Sequence, residues 1–292
     1  MENDESLPLN GFSVDVEDGI SIAMRDRFGR RIAQTERVLT STRKILHLLA
    51  RHDTRGTFFV LGQVGEAYPE LVREIQAAGH EIGVHGHDHH VFHKLSRDQA
   101  REELYRAKVV LEDLTGEKMR GHRAPCFSID SNTAWALDVL LELGFEYDSS
   151  IMPCRGLGYG WSGQRLGIGP MDTPGGGQIM QVPLSVTSLA GRKVPALGGS
   201  YFRLLPLSVS RLIFQRIQSQ RPVIMYLHPY ELDPEPYPEF YLRELAKATL
   251  KTRLRMRSFW LRRKSLMQRY DHLLSEFRFG RIKELIPEVE PT

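Results

Sequence analysis

From residue 11 to about residue 230 the chain alternates short β-rich runs with helical stretches, and no other feature constrains its fold as strongly. Gly11-Phe12-Ser13-Val14-Asp15-Val16 reads as a buried strand ending in acid. Residues 35–52 set Val38, Thr42, Ile45 and Leu49 on one helical face. A second strand is expected over 57–61, a helix with proline in its first turn over 69–78, and a third strand over 81–85. Ser96 and Gln99 form a capping-box signature that opens a long helix ending near Gly116. A strand over 119–123, a helix over 131–143 closed by Gly144, and strands over 145–150 and 222–228 complete the series. Repeated βα units return the chain to the same sheet edge, so the strands are parallel. The fold class is α/β, either a (β/α) barrel or an open doubly wound sheet.

The rhythm breaks at residue 154, where 154–199 holds 12 of the 25 glycines together with Pro170, Pro174, Pro183 and Pro195. This stretch reads as loops and β-hairpins inserted in the barrel, an insert that we extend to residue 205. Beyond residue 235 the chain turns basic, with ten Lys or Arg and one acid, Glu244, between Leu242 and Tyr270. A last helix over 265–277 carries Leu266, Leu273, Leu274 and Phe277 toward the core. The organisation expected is a tail over 1–10, a main domain over 11–235 and a basic helical extension over 236–292. With 39 basic against 36 acidic residues, the net charge of +3 carries no nucleic-acid footprint. No apolar run reaches the ~18 residues that span a bilayer. The acidic start lacks an apolar segment of the secretory type, and Cys126 and Cys154 are the only cysteines. A cytoplasmic protein, peripheral to the inner membrane through its basic segment, is the expectation.

Chemistry concentrates at the ends of the expected strands. His85-Gly86-His87-Asp88-His89-His90 places four histidines in six residues. His85 and His89 stand at i and i+4, which on a helical turn points both imidazoles at one ion, zinc by preference. His47, His52 and His272 are isolated and read as surface or core residues. Asp15-Val16-Glu17-Asp18 supplies three carboxylates; alone it reads as an acidic turn or a helix cap, and beside the histidines as a source of the third metal ligand. Arg123-Ala124-Pro125, Tyr147-Asp148-Ser149-Ser150 and Leu227-His228-Pro229 end three further strands, and in a parallel barrel all these termini meet on one face.

These motifs together resemble the NodB-homology polysaccharide deacetylases, carbohydrate esterase family 4, over residues 10–235. Within that group the chain is most similar to the exosortase-associated exopolysaccharide deacetylases. That similarity rests on Ser13-Val14-Asp15-Val16-Glu17-Asp18, Thr57-Phe58-Phe59-Val60-Leu61-Gly62, Gly79-His80-Glu81-Ile82, Gly121-His122-Arg123-Ala124-Pro125, His228-Pro229-Tyr230-Glu231 and the basic tail. The resemblance implies a distorted (β/α) barrel of about seven parallel strands. It implies Asp15 as catalytic base, Arg123 as its orienter, His228 as general acid and Asp148 as the orienter of His228. It also implies one divalent metal ion, Zn²⁺ with Co²⁺ or Ni²⁺ as alternatives, on His85, His89 and a second carboxylate. Asp18 is favoured as that carboxylate because Gly19 follows it, as in the family's Asp-Asp-Gly pattern; Glu17 is the alternative. The sequence departs from the pattern where Val16 and Glu17 separate Asp15 from Asp18, at His122 in place of Tyr, and at Gly19-Ile20 in place of an aromatic residue.

The implied reaction is hydrolysis of an N-acetyl group on the amino sugar of a polysaccharide or its lipid-linked precursor, in exopolysaccharide biosynthesis. The oxyanion would lie against backbone N–H groups just after Pro125, beside Cys126. Trp135, Trp161 and Trp260 are too scattered for a stacking claim, although Tyr159 and Trp161 are candidates for a sugar platform and Trp135 reads equally well as core. Cys126 and Cys154 read as reduced, buried thiols rather than nucleophiles. The segment 242–270 is either a solvated helix face or a contact for an anionic polymer or membrane surface. The rivals are a cyclic imide or allantoin hydrolase on the same barrel and a non-catalytic carbohydrate-binding relative. A binuclear amidohydrolase is set aside because its His-x-His lies on the first strand, not after the third.

Overall fold

In a computed structural model, which describes residues 7–155, 159–258 and 261–287, the first strand, β1 (Asn10–Val16), is buried at every position. It has a parallel neighbour on each edge, and such strands are covered on both faces. The chain continues through α1 (Gly19–Phe28), α2 (Glu36–Arg51), β2 (Thr57–Val60), α3 (Gly62–Ala67), α4 (Pro69–Ala77), β3 (Glu81–Val84), α5 (Arg97–Thr115), β4 (Gly121–His122), α6 (Ala136–Glu142) and β5 (Tyr147–Asp148). Then come β6 (Gly169–Asp172), β7 (Gln178–Gln181), β8 (Val186–Leu189), β9 (Arg192–Pro195), α7 (Gly199–Leu204), α8 (Leu207–Gln218) and β10 (Ile224–Leu227). The C-terminal part holds α9 (Glu239–Lys247), α10 (Leu250–Ser258), α11 (Arg263–Glu276) and β11 (Phe279–Gly280).

The main sheet runs β10-β1-β2-β3-β4-β5-β7-β6, with β11 added to β1. Seven strands of that path, β10 through β7, are parallel, and β6 is antiparallel at the edge. β6 does not pair with β10, so the sheet curls into an open half-barrel rather than closing. The hairpin β6–β7 of the glycine-rich insert extends this sheet, while β8–β9 form a separate ribbon. The residues expected to form a helical extension also supply a strand, β11, whose Phe279 meets Phe12 edge-on at 5.7 Å. β1 begins at Asn10, one residue before the boundary expected for the main domain.

Side-chain parity along the strands separates two layers. Phe12, Val14, Phe58, Val60, Ile82, Val84, Met225 and Leu227 face the helices, where they join Ile45, Leu71, Leu104 and Leu111 in the main core. The alternate positions, among them Phe59, Tyr147, Ile224 and Tyr226, line the inside of the curl. Ser13 and Asp15 share that inner parity, and so do His85, Arg123, Ser149 and His228 where the strands end.

Local signals explain the element boundaries. Ser96 Oγ accepts the Gln99 N–H and the Gln99 side chain accepts the Ser96 N–H, closing the capping box of α5, and Gly116 ends the helix at φ 69°. Residues 131–135 form turns, and regular helix starts only at Ala136.

His80, just before β3, ties the sheet to pH. Its Nδ1 accepts the Gly56 N–H at 3.0 Å, and burial, reinforced by Arg55 and Arg281, pushes the imidazole down to about 4. An unfolded chain protonates this residue near ~6.5. Stability from His80 is therefore complete above that value and is lost as pH falls toward 4, by at most ~3 kcal/mol. Melting curves across that window should show this loss, and His80→Gln should reduce it.

Candidate active site

The strand ends open onto a cavity of about 480 Å³ lined by Asp15, Glu17, His85, His89 and His228, among others. Asp15 sits at its floor. One carboxylate oxygen accepts from Arg123 Nη1 at 2.7 Å, and the guanidinium is fully buried. Arg123 is held further by Ser13 Oγ at 2.8 Å, by Ser149 O and Oγ at 3.1 and 2.9 Å, and by the Phe59 ring, 4.3 Å from its centroid. So many fixed acceptors leave the guanidinium one orientation, and it imposes one on Asp15.

Glu17 Oε2 lies 2.8 Å from His89 Nε2 and 3.3 Å from His85 Nε2. Ligand atoms of this buried trio all fall within 4.8 Å of one another. His85 Nδ1 is 2.8 Å from the Arg123 carbonyl, which can only accept, so Nδ1 carries a proton and Nε2 offers its lone pair to the trio. Burial would raise the Glu17 pKa, but His89, His85 and His228 hold its carboxyl well below the usual range. Glu17 Oε2 nevertheless makes no hydrogen bond of acceptable geometry. A carboxylate oxygen and an imidazole lone pair that face each other in a buried site call for a cation between them, and two imidazoles with one carboxylate are a donor set that zinc favours.

Residues 36–147 match the family model described as polysaccharide deacetylase, and residues 149–287 match one described as a domain of unknown function (DUF3473). Over residues 36–147 the chain is therefore similar to polysaccharide deacetylases. The chain is 31% identical over 109 residues to the peptidoglycan deacetylase of Helicobacter pylori, covering 37% of this chain and 36% of the relative. It is 33% identical over 101 residues to a peptidoglycan-N-acetylglucosamine deacetylase of Bacillus cereus, covering 34% and 37%. The chain thus spans little more than a third of the length of these curated relatives. A crystal structure from Mycobacterium smegmatis, assigned as a polysaccharide deacetylase, superposes with a TM-score of 0.60 at 18% identity, covering 98% of this chain and 95% of that one. At that identity it supports the fold.

In this half-barrel the expected residues fall into place unevenly. Asp18 is not with the histidines. Its Oδ1 accepts the Ile20 N–H at 2.9 Å and its Oδ2 the Thr35 N–H at 2.6 Å, so it caps α1 and both oxygens are committed to backbone. Glu17 stands where Asp18 was favoured. His85 and His89 do converge, but not through a helical turn: Gly86 and His89 both take left-handed φ, 78° and 56°, and the loop curls back on itself.

Asp148 does not reach His228. It is the register partner of His122, bonds His122 Nδ1 at 2.8 Å and receives the Ser150 hydroxyl. Both face the helix layer, where His122 packs against Phe92 and Phe145. The carboxylate beside His228 is instead Glu231, with Oε2 3.5 Å from Nδ1. The other nitrogen, Nε2, is 3.9 Å from Asp15 Oδ2 and 3.8 Å from Glu17 Oε1. Burial disfavours the imidazolium, yet Glu231, Glu17 and Asp15 outweigh it and push His228 up to about 9. Tyr230 stacks on His228 at 4.8 Å, and Gly19 makes room for it, since a Cβ there would stand 2.7 Å from the Tyr230 ring.

Pro125 is buried and starts a short turn in which Cys126 and Phe127 both have positive φ, 54° and 52°. Cys126 is exposed and lines the cavity, contrary to the buried thiol expected, while Cys154 is buried. Tyr159 also lines the cavity, its hydroxyl 2.5 Å from that of Tyr201. Trp161, its expected partner in a sugar platform, packs on the main core instead. Trp260 lies outside the described residues. His87 is pinned between Asp88 at 2.6 Å and Glu66 at 3.2 Å, and His90 contacts Glu103. Asp88, His90 and Glu103 form a second, half-buried trio, but Glu103 is occupied by the Asp88 N–H and His90, and Arg31 approaches Asp88. Ser13, Ser149, Glu231, Tyr201 and Tyr226 complete the site without having been singled out for it in the sequence.

Proposed function

We propose that the chain is a metal-dependent hydrolase that removes N-acetyl groups from the amino sugars of a polysaccharide or its lipid-linked precursor, in exopolysaccharide biosynthesis. One observation carries this reading: a carboxylate locked by Arg123, a two-histidine, one-carboxylate donor set and a cationic histidine share one cavity. Held by Glu17, His85 and His89, a divalent ion, zinc first and cobalt or nickel as alternatives, would polarise the acetamide carbonyl and make water more acidic. Asp15 would accept the water proton, kept in line by Arg123. His228 would hand a proton to the departing amine, a role that its approach to Asp15 and its cationic form suit. Glu231 supports it from behind on Nδ1. The turn carrying Cys126 borders the place where the oxyanion would form. A relative named for peptidoglycan N-acetylglucosamine supports an N-acetylated glycan as substrate. The motifs shared with exosortase-associated deacetylases support an exopolysaccharide.

Acetate release decides between this reading and its rivals. Purified protein should release acetate from N-acetylated oligosaccharides, lose the activity on chelation and regain it with Zn²⁺ or Co²⁺. Ring opening of allantoin or cyclic imides without acetate release would favour the imide hydrolase. Glycan binding that survives chelation and yields no acetate would make the chain a binding protein.

A further inference from the structure

Large apolar side chains are exposed at eleven described positions, and five of these, Phe240, Leu242, Leu250, Leu254 and Leu261, fall within residues 240–261. Leu250 and Leu254, 68% and 55% exposed, lie one turn apart on α10. The same stretch exposes Arg243, Lys247, Lys251 and Arg253. Its single acid, Glu244, is already engaged by Arg30 and Lys247. Arg243 pairs with Glu239 at the start of α9, so the excess positive charge lies on α10, where no acid among the described residues pairs with Lys251 or Arg253, beside the exposed leucines. The surface is also anchored at the site: Tyr241 and Met256 pack against Ile20 and Met24 of α1, and Met256 and Tyr237 line the catalytic cavity.

We propose that the α9–α10 face docks on an anionic bilayer and holds the mouth of the cavity at the membrane surface. A polyanion in solution would answer the basic charge but leave the leucines in water. An anionic lipid interface takes up both, the leucines at the headgroup boundary and the lysines and arginines against the phosphates. This deepens the deacetylase reading by placing its glycan at a membrane, and membrane binding is measured without any substrate, so either can fail alone.

Flotation with phosphatidylcholine vesicles containing phosphatidylglycerol, against phosphatidylcholine alone, tests it. The protein should float with the anionic vesicles, less so at high salt, and not with the neutral ones. Leu250→Ser with Leu254→Ser should weaken binding by about tenfold or more with the charge intact. Lys251→Gln with Arg253→Gln should weaken it comparably and flatten the salt dependence. All four side chains are exposed or lie outside the cavity, so the melting temperature should not move. No binding to anionic vesicles overturns the proposal. So does unaltered binding by the leucine variant, which would mean that charge alone acts and that the surface suits a soluble polyanion.

Discussion

Asp15→Asn is expected to lower acetate release by ~10²–10⁴-fold, the usual effect of removing a general base, while metal content stays that of the parent protein. The two readouts separate because Asp15 faces Arg123, not the Glu17–His85–His89 trio. The replacement amide keeps an oxygen that can accept from Arg123 Nη1, and Ser13 and Ser149 still hold the guanidinium. It leaves a buried cation without its counter-charge, however, a kind of change that costs several kcal/mol when a partner is lost outright. The assay therefore belongs well below the melting transition of the variant. Metal loss in this variant, or activity restored by added metal, would show that Asp15 is a ligand instead.

Glu17→Gln should empty the metal site, and Asp18→Asn should not. Glu17 gives the trio its only carboxylate, so its loss should weaken metal binding beyond the ~10–100-fold that outer partners of metal ligands contribute. Asp18 serves α1. Substituting it takes the acceptor from either the Ile20 or the Thr35 N–H, which should lower stability by about 1–3 kcal/mol with metal retained. Metal analysis and melting curves on both variants give opposite patterns. The reverse pattern would restore Asp18 as ligand.

The comparison of sequence and structure turns on side-chain parity. Strands β1, β2, β3 and β10 were readable as short, largely apolar runs, and α5 by its caps at Ser96 and Gly116. The inner face was readable too: Asp15, His85, Arg123 and His228 all end strands with the same parity. Asp148 fails that test, because Tyr147 and Ser149 point inward and leave Asp148 on the helix side with its neighbour His122. Alternation alone could have removed it. Glu17 and Asp18 lie past the end of β1, where alternation stops and the chain turns into α1. Only the capping bonds of Asp18 settle which of them turns toward the histidines. Glu231 stands three residues after His228, in a motif already noted, but nothing in its spacing distinguishes a partner of that imidazole from a surface acid.

Three non-glycine residues at the cavity, His89, Cys126 and Phe127, hold left-handed backbone. Such positions typically cost about 1–3 kcal/mol each. Glycine adopts such φ values without strain, so a single change to glycine at any of the three would relieve it. This chain nonetheless carries a histidine, a cysteine and a phenylalanine there, as expected of a site that trades firmness of folding for its side chains. By the same token, a library screened for heat resistance alone should return changes at these three positions, and those survivors should be the ones that have stopped turning over substrate.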